Sequence, residues 1–273
     1  MEAFDITIIT LSKNNKHDFI KTCKSIIKQN VSLTERVEWL ILDKSNNKIR
    51  FEKINFLKNT NPRDKLKIKY IDMNKENIYG IYKSMNYGIE IALGFSIIFM
   101  NAGDEFYEIN SLKLLYDNLL LLEEKKSYVF GQAKIISNDG ITWSFPGNKL
   151  NNFKKWLFWF EPNHQAMLST KYLASENLFN EKNIIFADGI WKRYIVKNAK
   201  KMAYLPIPVC KFYLGGISSK RPSLEFLKQQ VLLKEISNLR KIIIFIKFLV
   251  PPFLYKYYPI FQKYKSLFFD YIF

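Results

Sequence analysis

Cysteine and histidine are scarce in this chain, and acids are few for its length. Two cysteines in 273 residues, Cys23 and Cys210, exclude a disulfide scaffold and a cysteine-rich zinc site. The two histidines, His17 and His164, lie far apart, which argues against a histidine-built metal centre or a His-based triad. The sequence has no G-x-S-x-G elbow, no P-loop and no G-x-G-x-x-G fingerprint. Serine-hydrolase, P-loop kinase and dinucleotide readings are weakened accordingly. No apolar run reaches the ~20 residues that span a bilayer. The start, Met1 to Ile6 with acids at Glu2 and Asp5, is unlike a basic, apolar secretory leader. No internal repeat is present.

What the chain does have is apolar mass and positive charge. Hydrophobic residues make up 48%, enough for a chain this long to bury a substantial core. Forty-two basic residues against 25 acidic ones give a net charge of +17, which favours anionic partners. The lysines are spread along the chain and no nucleic-acid-binding module is visible, so nucleic acid is not the expected partner.

Strand and helix signals alternate over the first hundred residues. Residues 6–11 (ITIITL), 39–43 (WLILD), 68–71 (IKYI) and 96–100 (SIIFM) read as strands. After Asp18, the spacing of Phe19, Cys23, Ile26 and Ile27 predicts one helix face; residues 81–93 predict another, with Met85, Ile89 and Ala92 on one side. Such alternation predicts right-handed βαβ crossovers and a mostly parallel α/β sheet. Further on, residues 111–124 read as a helix, and strands at 128–136 and 141–145 flank a Ser-Asn-Asp-Gly turn. An aromatic cluster, WLFWF, follows at 156–160, and residues 204–213 read as a late strand. Cys23 and Cys210 read as core residues.

Polar clusters follow the first, second and fourth of the early strands. In open α/β sheets ligands bind beyond the carboxyl ends of the strands. The fourth strand ends in Asn101-Ala102-Gly103-Asp104. An Asp there can hold Mg²⁺ or Mn²⁺ against a diphosphate, with Gly103 letting backbone approach the ligand; the same residues also make an ordinary polar turn. Asp43 can accept hydrogen bonds from a base or ribose, or simply close a turn. Asp188 opens a helical pattern and serves either as an N-cap or as a general base.

The end of the chain differs in composition. Residues 241–273 hold five Lys, one Asp and twelve aromatics. Lysine interleaved with Phe and Tyr suits an anionic membrane interface; a helical pair packed on the domain or on a second subunit is the alternative. The resulting expectation is a cytoplasmic protein held peripherally on the inner face of the cytoplasmic membrane, with homo-oligomerisation open.

Taken together, the motifs resemble family 2 glycosyltransferases of the GT-A fold, in the bacterial surface-polysaccharide or colanic-acid-type branch. The residues that carry the likeness are 6–11, Ser25 to Gln29, Leu42-Asp43, Gly80-Ile81-Tyr82 with Met85-Asn86 and Gly88-Ile89, and residues 97–104. His164-Gln165, Ala187-Asp188 and Leu214-Gly215-Gly216-Ile217-Ser218 complete the set, so the likeness spans about residues 4–220. It implies a Rossmann-like GT-A domain over 1–220, with a nucleotide-binding half to about 105 and an acceptor half from 106, followed by a helical, aromatic-basic tail over 221–273. It also implies inverting transfer of one sugar, hexosyl or N-acetylhexosaminyl, from a nucleotide-sugar, UDP-linked by expectation. The acceptor would be a hydroxyl of a lipid-linked glycan, lipopolysaccharide or capsule.

By the same resemblance, Thr10, Leu11, Ser12, Asp43 and Asn86 hold the nucleotide-sugar together with Asn101, Ala102, Gly103 and Asp104. Asp104 is the expected ligand of Mn²⁺ or Mg²⁺, and Asp188 is the expected base. His164, Gln165, Trp191, Lys220 and Arg221 fall on the acceptor or diphosphate side. The sequence departs from the family at Asn101 and Gly103, which replace two carboxylates of a full D-x-D-D pattern. The Gln-x-x-Arg-Trp signature of processive synthases is absent, which favours single additions. The reduced acidic motif leaves a second expectation: a catalytically degenerate glycosyltransferase-like partner in a membrane polysaccharide assembly.

Overall fold

The computed structural model describes residues 4–30, 36–60, 66–147, 152–182, 187–215, 223–224, 227–228 and 238–272. Strands β1 (Phe4–Ser12), β2 (Val37–Asp43), β3 (Leu66–Asp72) and β4 (Gly94–Phe99) lie parallel in the order β3-β2-β1-β4. Three helices make the crossovers: α1 (Lys16–Ile27), α2 (Asn47–Thr60) and α3 (Ile81–Ile91). Every residue of β2 is buried, as expected of a parallel strand covered on both faces. Period-two alternation sends Ile6, Ile8, Trp39 and Ile41 to one face, where Phe19, Cys23 and Ile26 of α1 pack. Ile9, Leu40 and Leu42 go to the other, against Met85 and Ile89 of α3.

Beyond β4 the sheet becomes mixed. Next along the chain are β5 (Glu105–Phe106), α4 (Ser111–Leu120), β6 (Ser127–Ile136), β7 (Thr142–Phe145) and α5 (Phe153–Trp159). A 3-10 turn (His164–Ala166), β8 (Met167–Thr170), α6 (Lys171–Ser175), α7 (Ala187–Asn198) and β9 (Lys201–Tyr213) follow. One sheet results, in the order β3-β2-β1-β4-β8-β6-β9-β5, with β7 on β6. β8 is antiparallel to both β4 and β6, whereas β9 runs parallel to β6. The expected parallel sheet thus holds for the first four strands, while the second half mixes directions.

Helix α2 is an element for which the sequence offers no periodic signal. Its buried residues are Lys53 and Leu57, so a lysine stands where an apolar residue would have marked the inward face. Asn15 caps α1, its side chain accepting from the Asp18 amide at 3.1 Å, which puts Asp18 inside the first turn. Cys23 and Cys210 are both buried free thiols.

The tail forms α8 (Asn238–Leu249), a 3-10 segment (Pro252–Tyr257) and α9 (Tyr258–Ile272). Tyr258, Gln262, Lys265 and Ser266 of α9 close over Trp143, Phe145, Trp156 and Phe160, leaving a cavity of about 230 Å³. Ser266 Oγ donates to the Ser144 carbonyl at 3.2 Å. Among the described residues, no helix is long and apolar enough to cross a membrane.

Candidate functional site

Parallel strands bring the loops after β1, β2, β3 and β4 to one edge of the sheet. Hydrogen bonds tie these loops together. The Lys44 amide donates to the Ser12 carbonyl at 2.9 Å, and Asn74 Nδ2 to the Ser45 carbonyl at 3.1 Å. The Ala102 amide reaches the Leu11 carbonyl at 3.0 Å. A cleft of about 640 Å³ opens above the first three, lined by Lys13, Lys44, Arg50, Lys75, Asp72 and the Asn and Ser residues between. Four cations face one carboxylate there, and Arg50 pairs with Asp72 at 2.5 Å. Desolvation and the neighbouring Lys13 lower the proton affinity of Lys44. Its ammonium lies 3.5 Å from the ring centre of Tyr79, which is exposed.

Asp43 lies beneath this cleft rather than in it. Its carboxylate is fully buried, with Oδ1 accepting from Ser45 Oγ at 2.7 Å and Lys53 Nζ at 2.9 Å. Oδ2 accepts from the Tyr70 hydroxyl. Lys53, also fully buried, donates as well to Ser12 Oγ at 2.6 Å. Asp43 and Ser12, expected to meet a nucleoside, are here joined to each other through Lys53, and the Ser12 hydroxyl keeps its own proton to donate. Thr10 is likewise turned inward, its Oγ1 accepting from Trp39 Nε1 at 2.9 Å. Leu11 offers backbone, but its carbonyl is held by Ala102.

The loop after β4 is shaped by Thr22 of α1, a residue no sequence signal singled out. Its fully buried hydroxyl accepts from the Gly103 amide at 2.9 Å and donates to the Asp104 carbonyl at 2.6 Å. Gly103 adopts φ +109°, where an L side chain would be strained. Asp104 turns towards the sheet. Gln165 Nε2 donates to its Oδ2 at 2.6 Å. Burial pushes its carboxyl up to about 7, against the opposing pull of Gln165 and the Tyr213 amide. A divalent cation needs several oxygens open to it. Asp104 is 7% exposed, and among the described residues no three His, Cys, Asp or Glu side chains gather, so a cation here would draw most of its oxygens from the substrate. Ligation of Mn²⁺ or Mg²⁺ by Asp104 would need its carboxylate to turn from Gln165 towards a diphosphate, which would supply further oxygens.

A chain of polar groups runs from this loop to Asp188. Asn101 Nδ2 lies 3.4 Å from His164 Nε2, and His164 Nδ1 lies 3.7 Å from Asp188 Oδ2. Lys192, one helical turn on, lies 3.5 Å from the same oxygen, and the Tyr82 hydroxyl donates to Oδ1 at 3.4 Å. Burial opposes the charge on Asp188, but Lys192 and then His164 outweigh it and hold the carboxyl far below the usual carboxylate range. Burial pushes the His164 imidazole below its ordinary value, against the pull of Asp188. The Asp188 side chain keeps 30% of its surface exposed. An ionised, reachable carboxylate can accept a proton from a substrate hydroxyl. Among the described residues, Asn101 Oδ1 and Gln165 Oε1 are buried without a hydrogen-bond partner, so two acceptors stand unused beside this chain.

Other expected site residues have structural duties. Asn86 clamps the segment after α6: its Oδ1 accepts from the Phe179 amide at 2.8 Å, and its Nδ2 donates to the Phe179 carbonyl and Glu181. Both amide hydrogens are thereby used within the fold, and Oδ1 keeps one lone pair. Trp191, only 2% exposed, donates to the Ala174 carbonyl at 3.2 Å and stacks on Phe179, so it supports the site from below instead of meeting an acceptor. Lys220 and Arg221 lie outside the described residues. Lys192 carried a legible signal, the i+4 spacing from Asp188. Lys53, Tyr70 and Arg50 carried none, because their partners are set by the packing of α2 and β3.

No protein-family model and no curated protein matches the chain by sequence. Solved structures do match in shape. Residues 1–349 of S. aureus TarS in complex with UDP-GlcNAc align over 90% of this chain and 71% of theirs, with TM-score 0.61 and 16% identity. GalNAc-T7 with UDP, GalNAc and Mn²⁺ aligns over 85% and 48%, with TM-score 0.58 and 15% identity. The mannosyltransferase PcManGT from Pyrobaculum calidifontis, with GDP-Man and Mn²⁺, aligns over 90% and 71%, with TM-score 0.55 and 12% identity. The fold shared with these glycosyltransferases is GT-A: a curled mixed sheet flanked by helices.

Proposed function

We propose that the protein transfers one sugar, hexosyl or N-acetylhexosaminyl, from a nucleotide-sugar to an acceptor hydroxyl, as an inverting enzyme of the family 2 type. UDP-linked donors come first, because UDP or a UDP-sugar occupies several of the shape-matched structures. The acceptor is a lipid-linked glycan, lipopolysaccharide or capsule chain of a bacterial surface-polysaccharide pathway. The observation that carries the reading is Asp188, an ionised carboxylate linked through His164 and Asn101 to the edge of the sheet where the basic cleft opens. In the reaction Asp188 takes the hydroxyl proton as the acceptor oxygen bonds to the anomeric carbon. The bond from that carbon to the phosphate oxygen breaks, and its electron pair leaves with the nucleoside diphosphate. Lys13, Lys44 and Lys75, in the cleft at the strand ends, supply positive charge to the nucleotide, while Arg50 is held by Asp72.

The enclosed Asp104 and the glycine at 103 favour a second reading, a degenerate glycosyltransferase-like partner protein. One experiment separates the two. Purified protein is screened by thermal shift against UDP-, GDP-, CMP- and dTDP-sugars, and nucleotide release is followed with and without acceptor. Transfer predicts a raised melting temperature with one nucleotide class, because a ligand of the native state stabilises it. It also predicts release that falls by about 10²–10⁴-fold in Asp188→Asn with donor affinity unchanged. Absence of shift and release from folded protein selects the degenerate reading.

A further inference from the structure

The tail helices turn apolar side chains towards solvent. On α8, Ile242, Phe245, Ile246 and Leu249 follow helical i, i+3, i+4, i+7 spacing and are 48–60% exposed. On α9, Phe261, Tyr264, Leu267 and Phe268 form a second stripe, 51–65% exposed. The opposite face of α9, with Tyr258 and Ser266, already rests on the domain. A helix apolar on its inner and outer faces needs a cover on both. Twelve large apolar residues between positions 242 and 268 are exposed, a concentration that isolated soluble surfaces avoid.

Charge decides which cover fits. From residue 238 to residue 269 the sequence has no Asp or Glu, but it has Arg240 and five lysines. A second copy meeting this face would set Arg240 and the tail lysines against their own copies, with no Asp or Glu in the segment to pair them. An anionic bilayer offers hydrocarbon for the stripes and negative headgroups for the lysines at once. Neither helix is long and apolar enough to span, so the pair lies along the surface. We propose that the exposed faces of α8 and α9 embed in the headgroup region of an anionic lipid bilayer. Docking there is independent of sugar transfer and holds or fails without it.

The test is co-sedimentation of the full chain with vesicles of phosphatidylglycerol and phosphatidylcholine, against phosphatidylcholine alone. The expected result is binding about tenfold tighter to the anionic vesicles, weakening as salt rises. A triple variant, Phe261→Ser, Leu267→Ser and Phe268→Ser, changes outward positions only; it should keep its melting temperature and lose binding about tenfold. Should it fail to fold, Lys256→Glu with Lys263→Glu should weaken anionic binding while leaving the apolar stripes intact. Equal binding to both vesicle types, undiminished binding by a folded variant, or a dimer in light scattering that the triple variant dissociates with no vesicle binding would overturn the proposal.

Discussion

Lys192 sets the proton affinity of Asp188. Three groups face that carboxylate: Tyr82 from α3, His164 from the 3-10 turn and Lys192 from its own helix. After burial, which raises the carboxyl's proton affinity, Lys192 is the largest influence and lowers it. Lys192→Gln should therefore raise the Asp188 pKa towards its ordinary value of 3.8 or beyond. Protonation would then silence the base at a higher pH, so the acidic limb of kcat/KM should move upward. A pH profile of both proteins checks this; an unmoved limb means that another group accepts the proton. Asp188 was legible as a residue at the start of a helix, and Lys192 by its spacing. His164 was legible only as a lone histidine, because its partners lie 63 residues before it and 24 after it.

Helix α2 is fastened to the ends of β1 and β2 through a buried lysine, beside the Arg50–Asp72 pair and buried Leu57. Lys53 has no exposed surface and donates to Asp43, Ser45 and Ser12, joining α2 to the ends of β1 and β2. A fully buried pair costs free energy to desolvate, yet breaking it leaves the partner charged and alone. Lys53→Met should destabilise the fold by about 3–5 kcal/mol, read from urea unfolding. Adding Asp43→Asn removes the stranded charge, keeps an acceptor for one of the Tyr70 and Ser45 hydroxyls and turns an amide N–H to the other's oxygen, and should recover part of that loss. Equal destabilisation by single and double variants would show that packing, not charge, dominates. The strands and α1 were legible because apolar periodicity marks buried faces. Helix α2 was not, because ion pairing took the place of apolar burial at its inward position.

For the whole molecule, with a net charge of +17 spread along the chain, two sets of cations stand at anion-facing places, the cleft at the strand ends and the tail. Cleft lysines are partly exposed, so salt screens them. UDP affinity should fall as ionic strength rises. Lys13→Gln with Lys44→Gln should weaken it by about tenfold, the scale of charge-assisted contacts to phosphate, with an unchanged melting temperature. Calorimetric titration at two salt concentrations checks both, and salt-independent binding would place the diphosphate elsewhere.

Alternating strands and helices, the polar strand ends and the aromatic-basic tail were all determined by the sequence itself. Period-two and helical spacing are local properties, and they suffice to place the parallel part of an α/β sheet and the edge where its loops converge, while GT-A was what the resemblance implied. Which partners the polar residues at the strand ends take within the fold was decided by tertiary structure alone. Asp43, Asn86 and Asp104 stand at the expected positions, yet each is claimed by a partner: Lys53, the Phe179 backbone and Gln165 respectively. A buried polar group must be satisfied, and its partner can come from anywhere the fold brings close. Spacing along the chain fixes where a side chain is anchored, whereas contacts made 10 to 93 residues away fix what it holds.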